Sequence, residues 1–227
     1  MPRERLDQQI HKLLDDLVIL ASMVETATLK AVESLKQQDF QAAREVIEND
    51  KLVNQKRFEI ENDCIATIAT QQPIMATDLR MMASILEVTS EIERMGDYAK
   101  GIARVTLRHG DQPLVKPLID IPRMAELTVS MLHRAISAFI SGDVEQARAI
   151  PLEDDAVDNL YNQVYRELVT YMLVDPTTID RANYLMWAAH NLERLADRVT
   201  NICERTIYTR TGQLVELSAS DDEIKDS

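Results

Sequence analysis

The pattern that most constrains this chain is written twice. Asp39, Ala43, Arg44, Asp50 and Val53 recur as Asp143, Ala147, Arg148, Asp154 and Val157, each 104 positions later. Glu93, Arg94, Asp97 and Ile102 recur as Glu193, Arg194, Asp197 and Ile202, each 100 positions later. Their shared order marks a duplication, so whatever the first half folds into, the second half folds into as well. Within each half the apolar residues step by three and four. Leu6, Ile10, Leu13, Leu17, Leu20, Val24, Ala27, Ala31 and Leu35 form one such stripe, and Met124, Leu127, Met131, Ala135 and Ala138 form another. That period belongs to amphipathic helices. Only 5 glycines and 7 prolines interrupt the 227 residues, and aromatics make up 4%, which disfavours a sheet.

Breakers place the connections. Asp39 reads as an N-cap, and Pro73 marks a turn after a second helix ending near Gln72. A third helix is expected from about Ile74 to Arg108. His109, Gly110, Pro113, Pro117 and Pro122 then cluster into a linker. After a fourth helix, Ser141-Gly142-Asp143 turns into a fifth that is expected to run unbroken to about Val174. Pro176 opens a sixth, which ends near Gly212. The spacing therefore predicts an all-α chain of two tandem three-helix bundles, residues 1–110 and 123–212, with a linker at 111–122. An acidic tail, 213–227 with Asp221, Asp222 and Glu223, is expected to be disordered.

Charge narrows the partners. A formal net charge of −13 repels nucleic acid and anionic lipid, and suits cations or basic protein surfaces. Cys64 and Cys203 sit in amphipathic patterns far apart, consistent with buried thiols in a reducing compartment. The N-terminus lacks a signal-peptide core and no uncharged run is long enough to span a bilayer, so the cytoplasm is expected. There is no GxSxG, no Walker-type glycine loop and no dinucleotide fingerprint, and hence no argument for an enzyme.

The chemistry-bearing feature is a set of carboxylates. Glu93 and Asp97, like Glu193 and Asp197, are four apart and share a helix face. In an antiparallel hairpin, height is counted from the turn proline at 1.5 Å per residue. Asp50 lies 23 residues before Pro73 and Asp97 24 after it; Asn54 lies 19 before and Glu93 20 after. Asp154 lies 22 before Pro176 and Asp197 21 after it; Asp158 lies 18 before and Glu193 17 after. Each hairpin thus brings two (i, i+4) pairs level, with an amide in the first set and four acids in the second. Hard oxygen ligands in that number suit Fe, Mn, Mg, Ca or Zn. An ion-pair network using Arg94 and Arg194 is the competing reading. The histidines lack the ExxH pattern of a di-iron oxidase; His190, three before Glu193, is within reach of the second set, but a packed or surface histidine is the favoured reading. Gly96, between Glu93 and Asp97, permits close approach of another group or of a neighbouring helix.

These segments resemble a known family. PIMATDLRMMASILEVTSEIERMGDYAKGIA, from Pro73 to Ala103, is similar to the signature of PhoU phosphate-uptake regulators, and NLERLADRVTNICE, from Asn191 to Glu204, to their second ER-x-x-D segment. The first helix is similar as well, so the likeness covers nearly everything but the acidic tail. The resemblance implies two three-helix bundles and a cytoplasmic negative regulator of phosphate-starvation signalling. It implies an adaptor, expected to be a homodimer, that links the ATPase subunit of a phosphate ABC transporter to a membrane sensor histidine kinase. It also implies metal ions held by E/D-x-x-x-D motifs, here Asp50, Glu93, Asp97, Asp154, Asp158, Glu193 and Asp197. Asn54 departs from the acidic pattern and predicts a weaker first site. A di-iron oxidase and a metal-free structural bundle are the alternatives.

Overall fold

The computed structural model describes residues 2–71 and 73–217. Its helices are α1 (Pro2–Gln37), α2 (Phe40–Thr70), α3 (Ala76–His109), α4 (Asp120–Ser141), α5 (Val144–Ala149), α6 (Asp154–Val174) and α7 (Ile179–Thr211). No strand occurs among the described residues. The two copies are α1–α3 and α4–α7.

The first turn shows why the copies superpose in sequence. Gln38 takes a left-handed φ of 53° and Asp39 caps α2, its carboxylate accepting from the N–H groups of Gln41 and Ala42. The counterparts are Gly142, at φ 69°, and Asp143, which accepts from the N–H of Gln146. The same backbone bond closes both turns, Asp39 N–H to Ser34 O and Asp143 N–H to Ala138 O. The 104-residue offset therefore carries along both flanking helices: Leu20, Val24, Thr28, Ala31 and Leu35 are buried, and so are Met124, Thr128, Leu132, Ala135 and Phe139.

The fifth helix is a correction. The stretch expected to be one helix is broken by a 3-10 turn, Ile150–Glu153, because Pro151 has no N–H to donate and crowds the preceding turn. The bend divides α5 from α6. The expected linker also loses its last residues to α4, which starts at Asp120 and accepts Pro122 in its first turn, where the missing N–H costs nothing. The remaining connection is tied down: Lys116 pairs with Asp120 and Glu167, and Arg181 donates to the Pro113 carbonyl. Asp221, Asp222 and Glu223 lie outside the described residues. The stretch just before them is placed, however: Val215 and Leu217 pack on the core and the Leu217 N–H donates to Glu204.

Within each copy the helices are antiparallel neighbours, as expected. Between the copies α3 lies along α7 and α1 along α4, so one contiguous apolar core runs through both. Polar contacts at the α3–α7 seam pair related positions. Glu91 accepts from Asn201 and pairs with Arg198, while its counterpart Asn191 packs against Gly101, where a Cβ would meet the amide at 3.2 Å. Cys64 and Cys203 are free, buried thiols, and desolvation raises them to about 11 and about 12.

Candidate functional site

Contacts bring Asp50 and Asp97 together between α2 and α3, and Asp154, Asp158, Glu193 and Asp197 lie near one another between α6 and α7. In the first set, Lys100 Nζ donates to Asp50 Oδ2 at 2.5 Å and to Asp97 Oδ1 at 3.3 Å, which puts those two acids at one height. Asn54 turns its amide nitrogen, not its oxygen, toward Asp50 Oδ2 at 3.3 Å. Arg57 reaches Glu93 at 3.2 Å while donating to Glu61 at 2.8 Å. The first set thus carries its own cations on neighbouring turns of its own helices. The Lys100 ammonium is held above its usual range, first by its hydrogen bond to Asp50.

The second set has a fourth acid, Asp158 in the place of Asn54, and carries neither of those two cations. The counterpart of Lys100 is Thr200 and that of Arg57 is Tyr161. Burial pushes the Asp154 carboxyl up to about 7, helped by the charges of Asp158 and Asp197. Burial likewise pushes Glu193 up to about 7, helped by Asp197 and Asp158 and opposed by Arg194. The four acids therefore sense one another across α6 and α7. Glu193 Oε2 is buried and accepts no hydrogen bond, although His190 Nδ1 lies 3.1 Å from it. Arg194, held above its usual range first by Tyr98 of the other copy, stands 3.7 Å from Asp197.

The arginines following the glutamates contribute less than their positions promise. Arg94 bonds Glu91 at 3.1 Å. The cations that matter in the first set, Lys100 and Arg57, were signalled only by lying one turn beyond Asp97 and Asn54. Gly96 serves close packing: a Cβ there would stand 3.3 Å from Val53 Cγ1 and 3.5 Å from Val24 Cγ2. Among the described residues no three or more His, Cys, Asp or Glu side chains are so placed that they could hold a metal ion. The second set nonetheless fits a hard cation by its chemistry, having four carboxylates, one buried oxygen without a donor and mutual repulsion that an ion would relieve. The first set fits less well, because Lys100 already provides positive charge between Asp50 and Asp97.

Comparison with known proteins agrees with this duplicated architecture. The PhoU domain family model matches residues 17–106 and again 121–206. A phosphate-specific transport system accessory protein PhoU homolog of Aquifex aeolicus (strain VF5) is 37% identical over 93% of this chain and 96% of its own length. The phosphate-specific transport system accessory protein PhoU of Escherichia coli (strain K12) is 34% identical over 92% of this chain and 86% of its own. The crystal structure of the phosphate transport system regulatory protein PhoU from Streptococcus pneumoniae superposes with a TM-score of 0.86 at 31% identity, covering 93% of this chain and 100% of that one. PhoU from Pseudomonas aeruginosa superposes at 0.83 with 31% identity, covering 91% and 99%. No described helix is long and apolar enough to cross a membrane.

Proposed function

The chain belongs to the PhoU family, and from that premise we propose that it regulates phosphate uptake as the accessory protein of a phosphate-specific transport system. The observation that carries this is the double match to the PhoU domain, one per copy, together with relatives aligned over more than nine-tenths of the chain that are named for that role. In finer terms, it is a cytoplasmic, homodimeric adaptor. It contacts the transporter's ATPase subunit and a sensor histidine kinase, and it represses phosphate-starvation signalling when phosphate is plentiful. An acidic exterior of net charge −13 favours basic protein surfaces over nucleic acid or anionic lipid, in keeping with an adaptor that reaches the membrane only through its partners.

Metal belongs to this proposal as a fold-holding ligand. Asp154 and Asp158 on α6, with Glu193 and Asp197 on α7, would bind a divalent or trivalent ion of the Fe, Zn, Mn or Mg type, joining the two helices and removing the repulsion among the acids. The first set, Asp50, Glu93 and Asp97, would bind one more weakly, in competition with Lys100.

Deleting the gene tests the regulatory role. Phosphate-starvation genes are expected to stay on in high phosphate, and a clean deletion that keeps normal repression would refute it. Partner capture from cells grown with and without phosphate tests the adaptor role. Recovery of neither a transporter nor a kinase component would remove that part.

A further inference from the structure

From Leu17 to Leu29 the first helix carries one charged side chain, Glu25. Yet Val18, Ile19 and Leu29 are 41%, 49% and 42% exposed, and Ser22 and Thr26 beside them are exposed as well. A solvated helix face ordinarily carries charge along its whole length. Here α1 presents a stretch roughly 18 Å long at 1.5 Å per residue whose one charged side chain is Glu25.

That stretch borders a trough. Between α1 and α2 runs a groove of about 530 Å³, walled by Val18, Ile19, Met23, Ala27 and Leu52, with Gly96 at its floor. On the other side of α1, Val18 and Ser22 also border a depression of about 320 Å³ against Ile136 and Ile140 of α4. The apolar surface is therefore continuous from α2, over α1, to α4. Contiguous exposed apolar surface of this kind marks interaction sites on soluble proteins.

The second copy supplies an internal control. The counterpart of Ala27 is Met131, which is 1% exposed and fills its place in the core. The counterparts of Lys30 and Asn49 are Arg134 and Glu153, joined by a two-pronged ion pair at 2.7 and 2.6 Å that bridges α4 to the turn before α6. In the first copy Lys30 turns instead to Glu45, at 2.5 Å. Where the first half has Ala27 beside the trough and Lys30 turned to Glu45, the second half has a buried Met131 and an Arg134 tied to Glu153.

Charge selects the occupant. Asp50, with Lys100 beside it, and Glu25, with His133 beside it, line the two depressions, and exposed Asp15 and Glu48 lie within one helical turn of lining residues on α1 and α2. The cations at the rim are already paired, Lys30 with Glu45 and His133 with Glu25 at 3.4 Å. A second copy of this chain would bring like charge to that rim, and so would an anionic lipid surface. We propose that the trough is a docking site for an amphipathic helix of a partner protein, with an aliphatic face set between lysine- or arginine-rich flanks. A helix laid into an apolar groove supplies the missing burial, and its basic flanks meet the acids at the rim.

The inference rests on the adaptor reading but is tested apart from it. The probe is a fluorescent synthetic helix with a leucine face and lysine flanks, and its control is the same peptide with glutamate flanks. The purified full chain is expected to bind the lysine peptide in a salt-sensitive way and to ignore the glutamate peptide. Ala27→Met, which gives the first copy the second copy's residue, and Ile19→Ser should each weaken binding by about tenfold or more, with helical content and melting preserved in Ala27→Met. Equal binding by wild type and Ala27→Met, or equal binding of both peptides, overturns the proposal. So does a dimer in sedimentation that Ile19→Ser converts to monomer, since the trough's occupant is then a second copy. Partner capture separates the two ideas. If Ala27→Met chains still recover every partner that wild type recovers, the trough proposal falls and the adaptor stands. If wild type recovers none, the adaptor falls and the peptide result still decides the trough.

Discussion

Two carboxylate sets descend from one pattern, and they have met their charge in opposite ways. Between α2 and α3, Lys100 and Arg57 reach Asp50, Asp97 and Glu93, so each of these acids has a cation of the chain beside it. Between α6 and α7, Thr200 and Tyr161 occupy those two places, and burial with mutual repulsion drives Asp154 and Glu193 up to about 7. Duplication kept the acids and let their counter-ions diverge. Acids crowded together under burial repel one another, and protons or a metal ion relieve that repulsion. The copies differ on the apolar surface too, where Ala27 borders the trough and its counterpart Met131 is buried.

Removing the internal cation is the strongest way to break the contrast. Lys100→Met leaves Asp50, 8% exposed, without its 2.5 Å partner. Uncovering a buried acid typically costs about 3 kcal/mol, which for a chain of this size lowers Tm by roughly 10 °C. The matched change, Thr200→Ala, removes no ion pair and should cost under about 1 kcal/mol. Differential calorimetry of both variants in chelator gives the comparison. Equal losses would mean Lys100 is ordinary surface and the copies do not differ as described.

Metal sharpens the contrast from the other side. Asp197→Asn should lower total bound metal more than Asp97→Asn does. It should lower Tm only when metal is present, because a ligand held by the fold stabilises by mass action, about 2.7 kcal/mol at a hundredfold excess over Kd. In chelator the same change should be neutral or slightly stabilising, since it relieves repulsion. Elemental analysis and melting with and without chelator read both effects. Equal melting shifts under the two conditions would assign these acids to an ion-pair network.

Protons are the other external neutraliser. With metal removed, Asp154 and Glu193 hold protons in the folded chain up to about 7, whereas an unfolded chain releases them near the ordinary carboxylate range. The fold binds more protons than the unfolded chain between those limits. Its stability is therefore greatest below the unfolded values and is lost as pH rises toward and through about 7. Urea midpoints at pH 5 and pH 8 in chelator should show that fall, and Asp154→Asn should reduce it. A midpoint that rises over the same interval contradicts the buried second set.

Much of this was readable before any coordinates. Helix type, both caps and the level pairing of Asp50 with Asp97 follow from apolar period and from counting outward from Pro73, because helices have a fixed rise. The counter-ions were harder to read. Lys100 is three residues from Asp97, the right spacing, but a lysine on a helix has many rotamers and most reach only water. Setting the copies side by side supplies the signal, since Lys100 aligns with Thr200 and Arg57 with Tyr161. The break at Pro151 was missed because apolar spacing continues across it, through Ile150 to Val157. The α3–α7 seam was not legible either: a stripe shows that a face is buried but not which helix covers it.

The smallest effect comes from transplanting the first copy's solution into the second. Thr200 is 5% exposed and lies one turn from Asp197, as Lys100 does from Asp97. In Thr200→Lys, the aliphatic stem has to leave the packed position by the route Lys100 takes, and the ammonium can then approach Asp154 and Asp197. The gain from pairing a crowded acid is offset by the packing lost at a buried threonine. The net in chelator is a stabilisation of only about 0.5–1 kcal/mol, near the limit of a denaturant titration. Two larger readouts accompany it. Bound metal at the second set should fall, because the lysine now occupies the charge, and the loss of stability between pH 5 and pH 8 should shrink. The pH effect makes this variant informative: a threonine replaced at a merely structural position would shift the whole stability curve without flattening it. If Thr200→Lys lowers stability equally at both pH values and leaves the metal content unchanged, a cation at the place of Lys100 is not what distinguishes the two sets, and the difference between the copies has another cause.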